Sequence, residues 1–475
     1  MKRTRIVCTI GPASDKKAMI KTLIKSGMNI ARLNFSHNVH AYHGKVIKTI
    51  RAVAKELKTP VAIIQDLQGP RIRIDELPKK GVQVRKGQKI ILTTNKENHS
   101  KIPVTYKDMH LDVESGQRIL IADGTIELIV EEVVKRDIHC KVIFGGTIYS
   151  HKGINLPDTN VSVPALSVKD EGDLMFGVEQ EVDFVALSFV RTAKEVYDLK
   201  YLIQRYAKSL KQKQPQIKVI VKIERKEAID NIDEIIEATD AVMVARGDLG
   251  IELPAEDVPL MQKMIIDKCL QASKPVIVAT QMLDSMIVNP RPTRAEVSDV
   301  ANAVIDHTDA VMLSGETASG EYPAETVEIM KKIIEKTENS TYDDLVIKDK
   351  IKQIVPTSEA ISNVAKMLSE ALKTELILVA SLSGYSGRIV SRYRPEVPVW
   401  VACDNERVQR QLNLSWGVNP FILPTCSSFE ELVDRSIGYL KKLKKLKVED
   451  KMIIIAGEPV GKSGNINLVE IRTIE

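Results

Sequence analysis

Four ionisable residues stand close together near the middle of the chain: Lys222, Glu224, Arg246 and Asp248. The first pair follows the apolar run 219–221 and the second follows the run 241–245. Between them Ile229, Ile232, Ile235 and Ile236 recur at helical spacing. A parallel strand buried on both faces is apolar along its length, so charge collects at its mouth. Glu224 and Asp248 thus present two carboxylates from neighbouring strands. Two hard oxygen ligands are few, which suits Mg²⁺, because it keeps waters and takes further oxygens from a phosphate. Mn²⁺ accepts the same donors. The competing reading is an ion pair with Lys222 or Arg246 at the rim. Lys222 lies two residues before Glu224 and points to the same side. Beside a metal, its ammonium would stabilise a transferring phosphoryl group or a developing enolate. Otherwise it snorkels from a strand end. Gly247 lets backbone N–H groups approach an anion. Arg32 suits bidentate phosphate binding, unless it closes a structural salt bridge.

The elements that must position these residues form a repeat. Residues 5–10, 29–33 and 61–64 are apolar runs with helical patterns between them. Ser14 reads as the N-cap of the first helix and Gly27 as its stop. The second run ends on Arg32, Asn34 and Ser36, and the third on Asp66. From Gly69 to about Pro164 the rhythm changes to alternation with turns. Runs 119–121 and 126–130 flank Asp123-Gly124, a hairpin signal, and run 140–144 leads into Gly145-Gly146. An all-β domain inserted at 69–163 is expected. The strand–helix rhythm then resumes, with apolar runs at 184–190, 219–223, 241–245, 276–279 and 310–313. Three runs before the insertion and five after it match a (β/α)₈ TIM barrel of about 250 residues, here 1–68 plus 164–340. Asn34, Asp66, Glu224, Asp248, Thr280 and Ser314 at strand ends imply one shared mouth. Residues 341–475 read as a separate C-terminal α/β domain with an open sheet. Its strands fall at 376–380, 397–402, 421–423, 452–456 and 466–471.

Composition narrows the function classes. The 475 residues are 44% hydrophobic, enough for several cores. No apolar run approaches the ~20 residues that span a bilayer, and the one after the basic start is too short for a signal peptide. A net charge of +5 is mild. The Lys-rich run 441–447 reads as the solvated face of a helix. With 4% aromatics there is little to stack on single strands, so nucleic acid is not an expected partner. Five scattered cysteines without a CxxC pair read as free thiols of a reducing cytosol. Residues 457–463 mimic a P-loop but have one residue too few between the glycines, so they read as a turn. His37, His40 and His43 do not converge on one helical face as an i, i+4 pair does, and no metal is assigned to them.

The stretches MNIARLNFSH, VKIE, MVARGDLGIELP, VATQMLDSM, RPTRAEVSDVANAV and DAVMLSGETASGEYP resemble pyruvate kinase. The match is collinear over almost the whole chain. The resemblance implies phosphoryl transfer from phosphoenolpyruvate to ADP, giving pyruvate and ATP at the last step of glycolysis. It implies Mg²⁺, a cytoplasmic homotetramer and allosteric control through the C-terminal domain. Arg32 would bind the substrate phosphate, and Lys222 would stabilise the phosphoryl group and the enolate. Glu224 and Asp248 would hold Mg²⁺, and the backbone of Gly247 and Asp248 the substrate carboxylate. Thr280 would lie near the enolate face that is protonated, with Ser314 and Glu316 in a polar network nearby. Asn34, His37, Arg73 and Lys169 match the family's nucleotide contacts. Lys169 follows the insertion, whose closure would exclude water.

One departure is informative. Many members read Asp-Thr-Lys-Gly-Pro-Glu where this chain has Asp66-Leu67-Gln68-Gly69-Pro70-Arg71. Members with the Thr and Glu resemble enzymes that need K⁺, held by the counterparts of Asn34, Ser36, Asp66 and Leu67. Arg71 brings a tethered positive charge to that region, so activity without K⁺ is expected. The competing reading is that Arg71 only pairs with Asp66 or Glu224. Ser381, Ser383, Ser386 and Arg388 suit anion binding at a helix N-terminus, and similar family loops bind phosphorylated effectors. A plain strand-to-helix turn is the alternative. A barrel lyase or aldolase would use Mg²⁺ and an enolate, but the insertion and Lys169 speak for a nucleotide. A non-catalytic sensor would show losses at Lys222, Glu224, Asp248 or Thr280, and none is lost.

Overall fold

Eight parallel strands follow one another around a closed barrel. They are β1 (Arg5–Thr9), β2 (Ile30–Asn34), β3 (Ala62–Asp66), β4 (Phe184–Leu187), β5 (Lys218–Ile223), β6 (Ala241–Ala245), β7 (Val276–Ala279) and β8 (Ala310–Leu313). β8 pairs back onto β1. The structure is a computed structural model and describes residues 2–95, 101–212, 217–344, 355–457 and 466–475. Successive side chains on a strand face opposite ways. One set, including Val7, Ile30, Ile64, Ala186, Ile220 and Met243, fills the barrel interior. The other, including Ile6, Ile63, Val185, Val219 and Val242, packs under the surrounding helices. Both faces are dry, which is why these strands read as unbroken apolar runs. Two residues further along the inward rows the side chains turn polar. Thr9, Arg32, Asp66, Ser188, Lys222 and Ser314 follow Val7, Ile30, Ile64, Ala186, Ile220 and Met312. The mouth is where the inward rows outrun the apolar layers.

At the opposite end one device recurs. Asn29, Asp183, Asp240 and Asp309 immediately precede β2, β4, β6 and β8. A side-chain oxygen of each accepts a backbone N–H at the start of the preceding strand: Ile6 (3.1 Å), Ile63 (2.8 Å), Val219 (3.0 Å) and Val276 (3.1 Å). A buried strand start has no water for its first N–H, so a short polar side chain there satisfies it. The barrel is built of four two-strand modules, each closed by such a clamp.

The insertion leaves after β3 and returns before β4. Its main sheet has six strands and its own core, which includes Leu92, Ile119, Leu128 and Val142. The expected hairpin is formed by Arg118–Ile121 and Ile126–Val134, with Ile121 opposite Ile126. One buried carboxylate ties the two crossings. Asp170 Oδ1 accepts from the N–H groups of Gln68 (3.0 Å) and Gly69 (3.2 Å). Its Oδ2 completes a capping box with Ser167 at the start of helix Val168–Glu179. Gly69 has φ +71°, and a Cβ there would stand 2.9 Å from both Ser188 and Phe189. On the return side Arg191 donates to the carbonyls of Val161 and Val163 (2.8 Å to the latter) and is braced by Glu195 at 2.6 Å.

The C-terminal sheet runs Val418–Ile422, Val399–Cys403, Leu376–Ala380, Lys451–Ala456 and Leu468–Thr473, with only the last strand antiparallel. This domain docks on the end of the barrel away from the mouth. Leu414 joins the apolar interior of the barrel. Arg410 takes the second oxygen of Asp183 (2.8 Å), and Arg394 that of Asp309 (3.1 Å). Two of the four clamps therefore also anchor this domain.

Local expectations need correction at several points. Ser14 does not cap the first helix. Its Oγ accepts from Gly11 N–H (3.1 Å) within the turn set by Gly11-Pro12, and helix Lys17–Ser26 follows Lys16. Gly27 does end that helix, at φ 130°. Helix Phe429–Lys442 stops inside the Lys-rich run, and Leu446 turns back into the core. The edge strand starts at Val418, ahead of the run at 421–423, because Asn419 and Pro420 disguise it. A proline is tolerated there because the strand lies at the sheet edge. The strand read from 397 begins at Val399, after Pro398, and the last strand is Leu468–Thr473. The P-loop-like stretch lies, apart from Gly457, outside the described residues.

Candidate active site

Lys222 stands at the centre of the mouth. Its Nζ is 2.7 Å from Glu224 Oε1 and 2.9 Å from Ser188 Oγ, and 3.6 Å from Asp66 Oδ1. Asp66 is fixed from the other side by Arg32, whose Nε and Nη2 both lie 2.6 Å from its Oδ2. Arg32 Nη1 donates to Thr9 Oγ1 at 3.0 Å. Glu224 Oε2 accepts the N–H of Phe189 at 2.7 Å. Asp66 and Glu224 are each 1% exposed. Carboxylates this buried are costly unless paired. Burial pushes the Asp66 carboxyl up, but Lys222 and Arg32 outweigh it and hold it below the usual range. At Lys222 burial would lower the ammonium; Asp66 and Glu224 more than offset this and raise it, so it stays charged. Glu224 differs. Burial outweighs the pull of Lys222, and its carboxyl lies above the usual range.

A second group faces Lys222 from β6 and β7. Asp248 sits in the first turn of helix Arg246–Glu252, which starts where β6 ends. Arg71 Nη2 reaches Asp248 Oδ1 at 3.3 Å. Arg71 pairs with neither Asp66 nor Glu224, which are engaged by Arg32 and Lys222. Thr280 follows β7 at φ +69°, and Gln281 at φ +54°. A β-branched residue in that region is a backbone outlier, and such strain concentrates at functional sites. Thr280 Oγ1 donates to Ala279 O (2.6 Å) and accepts the N–H of Gly247 (2.8 Å). Arg246 turns out of the mouth. It pairs with Asp299 (2.7 Å) and donates to Thr280 O (2.8 Å), bracing the strained turn from behind. A cleft of about 1140 Å³ opens beside Gly247, Asp248 and Thr280, with Asp123 of the inserted hairpin on its far wall.

Known proteins match this chain over its full length. A family model described as pyruvate kinase, barrel domain, covers residues 1–327, and one described as pyruvate kinase, alpha/beta domain, covers 359–472. The pyruvate kinase of Clostridium acetobutylicum is 40% identical over 479 residues, spanning all of both chains. That of Geobacillus stearothermophilus is 42% identical over all of this chain and 80% of its own. The chain belongs to the pyruvate kinase family. A crystal structure of a pyruvate kinase from Cryptosporidium parvum superposes with a TM-score of 0.92 at 35% identity, covering 100% of this chain and 96% of that one. Membership makes the chain an enzyme, a phosphotransferase of the kinase class.

The remaining positions singled out by likeness to pyruvate kinase divide into four places. At the mouth, Ser314 N–H donates to Glu316 Oε2 (2.6 Å) and Leu283 N–H to its Oε1 (3.2 Å). Burial raises the Glu316 carboxyl. Beside the mouth, Asn34 Oδ1 accepts from Ser36 N–H (3.1 Å), and Leu67 O accepts from Ser188 Oγ (2.8 Å). Lys169 bridges Phe35 O (2.7 Å) and Asp173 (2.6 Å), whose other oxygen meets His40 at 2.7 Å. His37 is exposed nearby, and its carbonyl accepts from His43 (2.9 Å). Arg73 belongs to the insertion and donates to His151 O at 3.0 Å. Ser381, Ser383, Ser386 and Arg388 lie far from all of these, in the C-terminal domain after strand Leu376–Ala380, with Gly384 at φ +78° making the turn. Sequence reasoning missed Ser188, Phe189 and Thr9. Parity held the signal for two of them. Ser188 is two residues past Ala186 and Thr9 two past Val7, in the inward rows.

Proposed function

We propose that this enzyme transfers the phosphoryl group of phosphoenolpyruvate to ADP, giving pyruvate and ATP, at the mouth of its barrel. The observation that carries the reading is Lys222. It is a charged, 12% exposed ammonium fixed among Glu224, Ser188 and Asp66, with Arg32 three strands away. Phosphoryl transfer needs positioning and positive charge where negative charge develops. Arg32, its guanidinium locked by Asp66 and Thr9, receives the substrate phosphate. Lys222 directs its ammonium at the moving phosphoryl group and then at the enolate oxygen. The Gly247 N–H exchanges Thr280 Oγ1 for the substrate carboxylate, helped by the Asp248 backbone. That exchange frees a lone pair of Thr280 Oγ1, whose proton stays on Ala279 O, beside the enolate face that takes the proton. Ser314 and Glu316 hold the far wall.

Glu224 and Asp248 fit a divalent cation. Both offer hard oxygen, and Glu224 has a raised carboxyl that a second positive charge would bring down. Among the described residues no group of three or more His, Cys, Asp or Glu could hold a metal alone. Such a cation must then draw its remaining ligands from water and substrate, which is the habit of Mg²⁺ and of Mn²⁺. Bound there, Mg²⁺ would supply charge neutralisation and orientation of the phosphoryl oxygens. Asn34, His37, Arg73 and Lys169 take the nucleotide, and closure of the inserted domain excludes water. Ser381, Ser383, Ser386 and Arg388 take a phosphorylated effector within a cytoplasmic homotetramer. Among the described residues no helix is long and apolar enough to cross a membrane.

The test is an assay coupled to lactate dehydrogenase, with phosphoenolpyruvate, ADP and Mg²⁺. Turnover is expected, and Lys222→Met should lower it about 10²–10³-fold while the circular dichroism spectrum is kept. An unimpaired variant would remove Lys222 from the mechanism.

A further inference from the structure

Hydrogen-bond arithmetic at the end of β4 assigns work to a residue that no motif marks. Ser188 is 1% exposed, and its Oγ has two partners: Leu67 O at 2.8 Å and Lys222 Nζ at 2.9 Å. A hydroxyl has one proton and two lone pairs. A carbonyl only accepts, so the Ser188 proton goes to Leu67 and its lone pair takes an N–H of Lys222. An ammonium has three N–H groups. Ser188 takes one and Glu224 Oε1, at 2.7 Å, takes another. Asp66 Oδ1, at 3.6 Å, is beyond hydrogen-bond length and has no hydrogen-bond partner of its own. The third N–H is uncommitted.

The neighbouring residue fixes the other half of the pair. Phe189 has φ +56° and gives its N–H to Glu224 Oε2. Gly69 packs over both residues so closely that no Cβ fits. One dipeptide therefore holds the lysine through a side chain and the glutamate through the backbone.

We propose that Ser188 is the positioning residue for Lys222, holding the ammonium short of Asp66 so that one N–H stays free for the transferring phosphoryl group and the enolate oxygen. Without the hydroxyl, the ammonium closes from its 3.6 Å ion-pair distance to hydrogen-bond length on Asp66 Oδ1, and the free donor is lost to the protein. This rests on the reaction proposed above, but its test does not need turnover. Oxalate is a planar dianion with the shape and charge of pyruvate enolate, and its binding in the presence of Mg²⁺ is read by calorimetry. Ser188→Ala should weaken oxalate about tenfold and lower kcat by a similar factor, with the KM for phosphoenolpyruvate changed less than about threefold. In a Lys222→Met background the same substitution should leave oxalate affinity unchanged, because Ser188 acts only through the lysine. Equal losses in both backgrounds would show a merely structural serine and overturn the proposal, as would no loss in the parent. Oxalate coupling without turnover of phosphoenolpyruvate would uphold Ser188 and sink the proposed reaction. Turnover without coupling would do the reverse.

Discussion

Arg71 brings a partly exposed guanidinium to the edge of the candidate site. Its contact with Asp248, at 3.3 Å and with the arginine 41% exposed, is a surface ion pair. Such pairs contribute about 0–1 kcal/mol, so the guanidinium is free to turn toward an arriving anion. We propose that its charge takes the place of a monovalent cation there. We predict full turnover in a buffer free of potassium and sodium. Activity near zero that K⁺ restores would refute this, and Arg71→Glu should create such a requirement. Arg71 was legible as a charge in sequence but its partner was not, because pairing across the insertion depends on how the inserted domain sits. Phe189 and Thr280 were illegible for another reason. A positive φ at Phe or Thr leaves no compositional mark, whereas the same φ at Gly69 or Gly384 does.

The elements fall into those that burial specifies and those that context specifies. β1 to β8 are buried on both faces, so each announces itself as an apolar run, and all eight were readable. The edge strand Val418–Ile422, with Asn419 and Pro420, was displaced for want of that signal. Ser14 misled because a serine after Gly-Pro serves a turn as readily as a helix cap. The connectors of the insertion belong to the second class. Arg191 reaches back from beyond the end of β4 to two carbonyls of the returning connector, in a cleft of about 600 Å³. Buried hydrogen bonds to a charged group contribute about 1.5–3 kcal/mol each. Arg191→Ala should leave the barrel folded but loosen residues 160–166. Limited proteolysis there should speed up about tenfold, and the KM for ADP should rise as the inserted domain stops closing in register. If cleavage is no faster, the connector is held elsewhere, and Asp170 is the next residue to change.

Across the whole molecule the chemistry and the docking of the C-terminal domain occupy opposite ends of one barrel. Asp183 and Asp309 each join a strand start within the barrel to an arginine of the C-terminal domain. Of the strands they cap, β3 ends on Asp66 and β7 runs straight into Thr280. The barrel and the open sheet were both apparent in the sequence, because repetition and burial specify them. Their mutual placement was not, since it depends on single residues such as Leu414, Arg394 and Arg410 that no pattern distinguishes from surface.

The four clamps also set an order of assembly. Three of them join residues 21, 23 and 33 positions apart in the chain. The clamp between Ile63 and Asp183 spans 120. Closing that loop through a flexible chain costs about 1.5 kcal/mol more than closing the shortest, until the inserted domain has folded and drawn its own ends together. The module of β3 and β4 should therefore close last during refolding. Pulsed hydrogen exchange should protect the amide of Ile63 after those of Val219 and Val276. Simultaneous protection would mean that the barrel forms in one step, with the insertion no obstacle to it.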